Sequence, residues 1–321
     1  MIQITNTGLR DLNSICEQHL QSLLKLILQR THSLLSRQKE FIENCLYIIL
    51  TGSPADLIEV NKEYLSYCTE SGRGRVANPK AGLNAVLNYK DFSEKHENRY
   101  CAYALAQLLQ VDTCPYCNRN YCITVQKGRR DDERYTRADF DHFFPKEQYP
   151  LLQLSFYNLI PSCLICNRTI KHRKTTVYGK FIHPYEESIG DSAKFTFTPL
   201  NYDSSVGLKT DLKVDFLFSN TNLDKKRRAE SSLDLFKIKD IYEQSHSGEI
   251  ADIIRKYHIS SGKYLESLHK TFPQLGSIEE LYRIAFGNYY NEHDHAKRPL
   301  AKMTKDIVDQ MQFMYPAIKK P

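Results

Sequence analysis

The chain has 321 residues, enough for about two cores, and its 41% hydrophobic and 26% charged content is that of an ordinary globular protein. No apolar run reaches the roughly eighteen residues of a membrane span, and Met1-Ile2-Gln3-Ile4-Thr5-Asn6 lacks the basic and apolar regions of a signal peptide. The expectation is therefore a cytoplasmic protein with no membrane partner, in which nine cysteines serve as reduced thiols and metal ligands, not as a disulfide framework.

In chain order, Leu9, Leu12, Cys16, Leu20, Leu23 and Ile27 recur at spacings of three and four and predict a long helix. Phe41, Ile42, Cys45 and Ile49 predict a second over 38–50. Gly52-Ser53-Pro54 punctuates the chain before a third over 55–67. Cys16, Cys45 and Cys68 are isolated on these stripes and read as small buried hydrophobes. A helix over 100–109 then delivers the chain to Cys114.

Next, 121–125 and 135–141 read as the two strands of one hairpin around the turn Lys127-Gly128-Arg129-Arg130. An apolar run over 151–160 follows, then a short helix within 164–173. Further on, 194–198 and 212–218 read as strands, with Leu217 partly burying the second face of the latter. Helices are predicted over 229–245, 249–260, 277–286 and 302–314. The fold class is α+β, mainly helical, divided as a helical region 1–110, a metal-bearing core 111–190, and a strand pair with helices over 191–321.

The chemistry is concentrated between Cys114 and Asn167. Cys114 and Cys117 form one Cys-x-x-Cys pair, and Cys163 and Cys166 form a second, separated from it by 45 residues. Each pair presents two sulfurs from one turn, so together they can supply the four thiolates of a closed, structural zinc site. Cys122 reads as packing. The stretch from Arg119 to Lys180 carries twelve Lys/Arg against six Asp/Glu, a surplus equal to the whole net charge of +6. A local basic field of this kind suits a phosphate backbone.

Between the thiol pairs lie Asp141-His142 and Asn158, and Asn167 follows the second pair. A neutral imidazole at His142 suits a general base for water. Asp141 and Asn167 offer hard oxygens for Mg²⁺ or Mn²⁺, and Asn158 can hold the backbone around His142. Strict strand alternation would send Asp141 and His142 to opposite faces, so both reach one site only if the strand ends or twists sharply there. Lys146, Lys171, Arg173 and Lys174 are candidate phosphate contacts. His172 lies five residues after Asn167, a poor spacing for a shared α-helical face. His183 either approaches the site or belongs to a structural His-Pro turn, and His293-Asp294-His295 reads as a helix-end feature.

These residues resemble the HNH (ββα-metal) endonucleases that carry a four-cysteine zinc. The resemblance covers Asp141-His142, Asn158-Leu159 and Cys163-x-x-Cys166-Asn167. It implies that Asp141 and Asn167 bind the catalytic metal, that His142 activates water, and that Asn158 fixes the loop. The longer runs Asp139-Phe140-Asp141-His142-Phe143-Phe144-Pro145-Lys146, Ser155 to Cys163 and Phe181-Ile182-His183-Pro184-Tyr185 are similar to the PtuB-like HNH proteins of antiphage defence. That similarity implies an ATPase partner. The expected function is metal-dependent hydrolysis of nucleic acid, DNA before structured RNA. The alternative is a non-catalytic zinc module that binds nucleic acid or a partner.

Overall fold

A computed structural model of the chain describes residues 1–7, 10–94, 99–128, 130–172, 174–259 and 263–314. The fold is α+β and mainly helical, with three two-stranded antiparallel sheets among the described residues. It divides into two compact units, neither of which is a continuous stretch. One comprises 4–112 and 122–185; the other comprises Met1–Gln3, Thr113–Tyr121 and the chain from Glu186 onward. Three consecutive regions with boundaries near 110 and 190 are not what forms. The reason lies in where side chains find partners. Ser155 Oγ donates to Ile49 O at 2.5 Å and His19 Nε2 bonds Leu154 O at 2.8 Å, tying 122–185 to the early helices. Tyr116 instead stacks on Phe236 at 4.2 Å, and Tyr242 donates to Cys117 O at 2.7 Å.

In the first of these units, α1 (Leu12–Arg30) buries Cys16, Leu20, Leu23 and Ile27 of the expected stripe and adds Ile15; Leu12 is only half-buried, and the predicted first member, Leu9, lies outside the described residues. Helix α2 (Ser36–Thr51) buries Ile42, Leu46 and Ile49. Helix α3 (Pro54–Thr69) starts at a capping box: Ser53 Oγ accepts from Asp56 N, and Asp56 Oδ2 accepts from Ser53 N. The box satisfies two orphan amides, and Pro54 sits where no N–H is required. Short helices α4 (Leu83–Val86) and α5 (Tyr89–Ser93) and then α6 (Ala102–Leu109) follow.

The expected hairpin over 121–141 forms only near its tip. Only β1 (Val125–Gln126) pairs with β2 (Arg134–Thr136). The strand bearing Asp141, β3 (Asp139–His142), pairs antiparallel with β4 (Leu159–Ser162), in the register Asp139↔Ser162 to His142↔Leu159. All four residues of β4 are buried, so the end of the apolar run is the partner that hides the most surface against Phe140. The chain then enters a π-helix, Ile165–Lys171, where His172 N–H reaches back five residues to Asn167 O at 2.9 Å.

In the other unit, β5 (Ala193–Pro199) pairs along its whole length with β6 (Leu212–Phe218). Phe195, Phe197, Val214 and Phe216 fill one face by strict alternation, whereas Leu217 is exposed and does not build a second apolar face. Beyond the short α7 (Tyr202–Ser205), α8 (Leu223–Leu235) stops at Phe236. Lys237 adopts φ +51, and α9 (Ile238–Ile259) begins there, so the single helix expected over 229–245 is broken. Helices α10 (Tyr264–Thr271), α11 (Ile278–Phe286) and α12 (Ala301–Met314) complete the unit. Both sheet edges are covered: Asp306 Oδ2 accepts from Phe195 N at 2.8 Å, and Glu243 Oε2 accepts from Val214 N at 2.9 Å. Helical side chains thus occupy edge amides that would otherwise invite a further strand.

Candidate functional site

Each thiol pair is set by its own turn. At the first, Asn118 takes φ +49, its N–H donates to Cys114 O at 2.8 Å, and Arg119 N–H points at Cys117 Sγ at 3.4 Å. Asparagine tolerates this left-handed conformation better than most residues. Its side chain is held by His295 O and by Lys302 N–H, each at 3.0 Å. At the second turn, Cys166 N–H points at Cys163 Sγ at 3.4 Å, and Asn167 N–H donates to Cys163 O. The Sγ atoms of Cys114, Cys117, Cys163 and Cys166 lie within 4.8 Å of one another, and all four residues are buried. A tetrahedral zinc with Zn–S bonds of 2.3 Å needs sulfurs about 3.8 Å apart, so the cluster can hold a structural ion such as zinc. Cys122 stands outside it and donates to Val111 O.

A separate pocket of about 270 Å³ gathers Tyr89, Asp139, Asp141, His142, Lys146, Asn167, Arg168, Lys171 and His172. Its wall is β3, whose period of two puts Asp139 and Asp141 on one face. His142 joins them because the strand ends at that residue. The π-helix supplies the opposing groups. Arg168 grips Asp139 through Nε at 2.6 Å and Nη2 at 3.0 Å, and Lys171 Nζ lies 2.8 Å from both oxygens of Asp141. A strand repeat of two is thereby matched by a helix repeat of three.

The His142 ring is fixed on two sides. Nε2 lies 2.9 Å from Gln153 O, and Tyr89 meets the ring edge-on at 4.3 Å. A carbonyl only accepts, so Nε2 carries the proton and Nδ1 keeps its lone pair. Burial lowers the ring's pKa to about 4, against the raising pull of the Gln153 carbonyl and the Asp141 charge. The imidazole is therefore neutral near pH 7.

No family model, curated protein or solved structure matches this chain.

Asn158 is wholly buried and bonds Phe144 N, Phe144 O and Leu152 O, a backbone clamp on the loop that leads to Gln153. Asn167 lines the pocket, with Nδ2 at 3.4 Å from Asp139 Oδ2. Lys171 is not the surface phosphate contact expected of it. It is only 2% exposed and its ammonium is spent on Asp141 and on His142 O, so it does not offer a charge to phosphate from the surface. Lys146 is exposed on the rim, with Nζ 5.4 Å from the Tyr89 ring centre. Lys174 is exposed but does not line the pocket, and Arg173 lies outside the described residues.

His172 does reach the pocket. Five residues is a poor spacing on an α-helix, but in this π-helix the i to i+5 bond brings Asn167 and His172 to the same pocket. His183 is buried against Phe143 at 4.3 Å and does not line the pocket. His295 is buried with Nε2 on Tyr290 O, whereas His293 is exposed beside Asp294. Asp139, Arg168, Tyr89 and Gln153 were not singled out from the sequence. For Asp139 a signal existed: it stands two residues before Asp141 on one strand. Nothing local marks Tyr89 or Gln153, which arrive from other elements.

Proposed function

We propose that this pocket is the active site of a metal-dependent phosphodiesterase that cuts nucleic acid, DNA before structured RNA, as an HNH (ββα-metal) endonuclease with zinc in the thiol cluster. The observation that carries the reading is His142: a neutral ring, its protonated nitrogen tied to Gln153 O, beside two carboxylates in one pocket. Such a ring can accept a proton from water through Nδ1. Asn158 holds the loop that positions Gln153, and so acts on His142 at one remove. The antiparallel pair β3–β4 followed by the π-helix has the strand–strand–helix order of a ββα site.

The oxygens of Asp139, Asp141 and the Asn167 amide share this pocket, and hard oxygen donors suit Mg²⁺ or Mn²⁺. An ion held by Asp141 and Asn167 would supply Lewis-acid stabilisation of charge on the phosphate oxygens. Lys146 on the rim and the basic surplus of the surrounding stretch favour a polyanionic substrate. The similarity of the longer runs to PtuB-like proteins extends the proposal to an antiphage role beside an ATPase.

The second reading, a zinc module that binds without cutting, is favoured by the Lys171 ammonium seated on Asp141. Nicking of plasmid and cleavage of tRNA in Mg²⁺, with wild type and His142→Ala, separate the two. Loss of about 10²–10⁴-fold in rate is expected for removal of a general base. Equal cutting by both proteins removes His142 from the mechanism, and binding without cleavage in any divalent ion, with or without the ATPase, selects the module.

A further inference from the structure

The ammonium of Lys171 makes three contacts: Asp141 Oδ1 and Oδ2 at 2.8 Å each, and His142 O at 2.6 Å. An ammonium has three N–H donors and no acceptor, so its hydrogen-bonding capacity is filled. Its side chain is 2% exposed and that of Asp141 is 5% exposed, so solvent does not share these bonds. The neighbouring pair differs, because Arg168 is 69% exposed over Asp139 and can swing into water. Of the two carboxylates, Asp141 is thus the one closed by a buried counter-charge.

We infer that Lys171 is a resident counter-cation that holds the Asp141 carboxylate closed, and that a divalent ion enters the pocket only by displacing it. This rests on the reading of Asp141 and Asn167 as the seat of that ion. Both cations need the same lone pairs, because Mg²⁺ and Mn²⁺ take carboxylate oxygens directly. The two positive charges also repel, and the burial of Lys171 and Asp141 weakens the screening between them. The fraction of molecules with Lys171 withdrawn multiplies the intrinsic affinity, so the ion binds more weakly than its donors alone allow. A bond or surface that drew the lysine aside would open the site without touching its ligands.

The test reads Mn²⁺ binding directly, without substrate, by electron paramagnetic resonance on the zinc-loaded full chain. Lys171→Met is expected to bind Mn²⁺ at least tenfold more tightly than wild type, and Asp141→Asn to lose that binding. Because Lys171→Met leaves a buried carboxylate alone and can unfold, a second measurement uses unaltered protein. Amine acylation followed by mass spectrometry should label Lys171 several-fold more when Mn²⁺ is bound than in its absence. Equal affinities in wild type and Lys171→Met, no binding in either, or bound Mn²⁺ with unchanged labelling of Lys171 would each overturn the inference. Tighter Mn²⁺ binding in a protein that cuts no nucleic acid leaves the latch standing and removes the nuclease reading.

Discussion

Asn158 holds Phe144 by both backbone groups: Oδ1 accepts from Phe144 N at 2.6 Å, and Nδ2 donates to Phe144 O at 3.2 Å and to Leu152 O at 2.8 Å. The carboxamide is fully buried, so nothing in solvent can replace it. Asn158→Ala should cost about 3 kcal/mol, the sum of three buried bonds at roughly 1 kcal/mol each. Asn158→Asp keeps the acceptor but loses both donated bonds, and buries a charge. Urea unfolding of both variants checks this, and a cost below about 1 kcal/mol for Asn158→Ala would mean that the loop is held by other contacts.

The thiol cluster predicts about one zinc per chain. Stripping it with a chelator, or Cys163→Ser, should release the metal and lower the melting temperature by about 10 °C or more, since metal binding and folding are coupled. Cys122→Ser should leave the metal content unchanged, because Cys122 donates to Val111 O and is not part of the cluster. Zinc analysis beside thermal melts reads both outcomes.

Acid should weaken the fold through its buried histidines. His19 is 0% exposed, with Nε2 on Leu154 O and Nδ1 on Tyr100 Oη, and burial lowers its pKa from 6.5 to about 4. The unfolded chain takes a proton on His19 below about pH 6.5 while the folded chain does not, so this stabilisation is complete above that pH and drains away towards pH 4. The loss from His19 alone should be about 2 kcal/mol between pH 7 and pH 5. His19→Gln should flatten the pH dependence by that amount in urea titrations. Parallel pH profiles for the two proteins would show that His19 carries none of it.

Gly207 and Gly179 make a matched pair. Both have positive φ, +74 and +78, but a Cβ at Gly207 would stand 2.3 Å from Ala251 O and 2.7 Å from Arg255 N, whereas at Gly179 it meets nothing within 4 Å. Gly179→Ala should cost only the left-handed penalty, about 1–2 kcal/mol. Gly207→Ala must also move backbone, and should cost about 3 kcal/mol or more. Chemical denaturation of the two variants tests the difference.

Much of this protein was legible in its residues, wherever the determining physics is local. The helical stripes, the alternation of Leu212, Val214 and Phe216, and the paired thiols depend on periods and turns that act over a few residues. Asp141, His142 and Asn158 between the two thiol pairs, and Asn167 just after the second, stood out because their chemistry is unusual in that setting. Other features were decided by tertiary structure. The strand carrying Asp141 chose Leu159–Ser162 over the nearer segment because burial rewards the more apolar partner, whatever its distance along the chain. The π-turn that brings His172 to the pocket is a backbone choice that no spacing rule announces. And Lys171, ordinary as a residue type, became the counter-charge of Asp141 only when both were taken out of water, where an unpaired charge costs more than an ion pair.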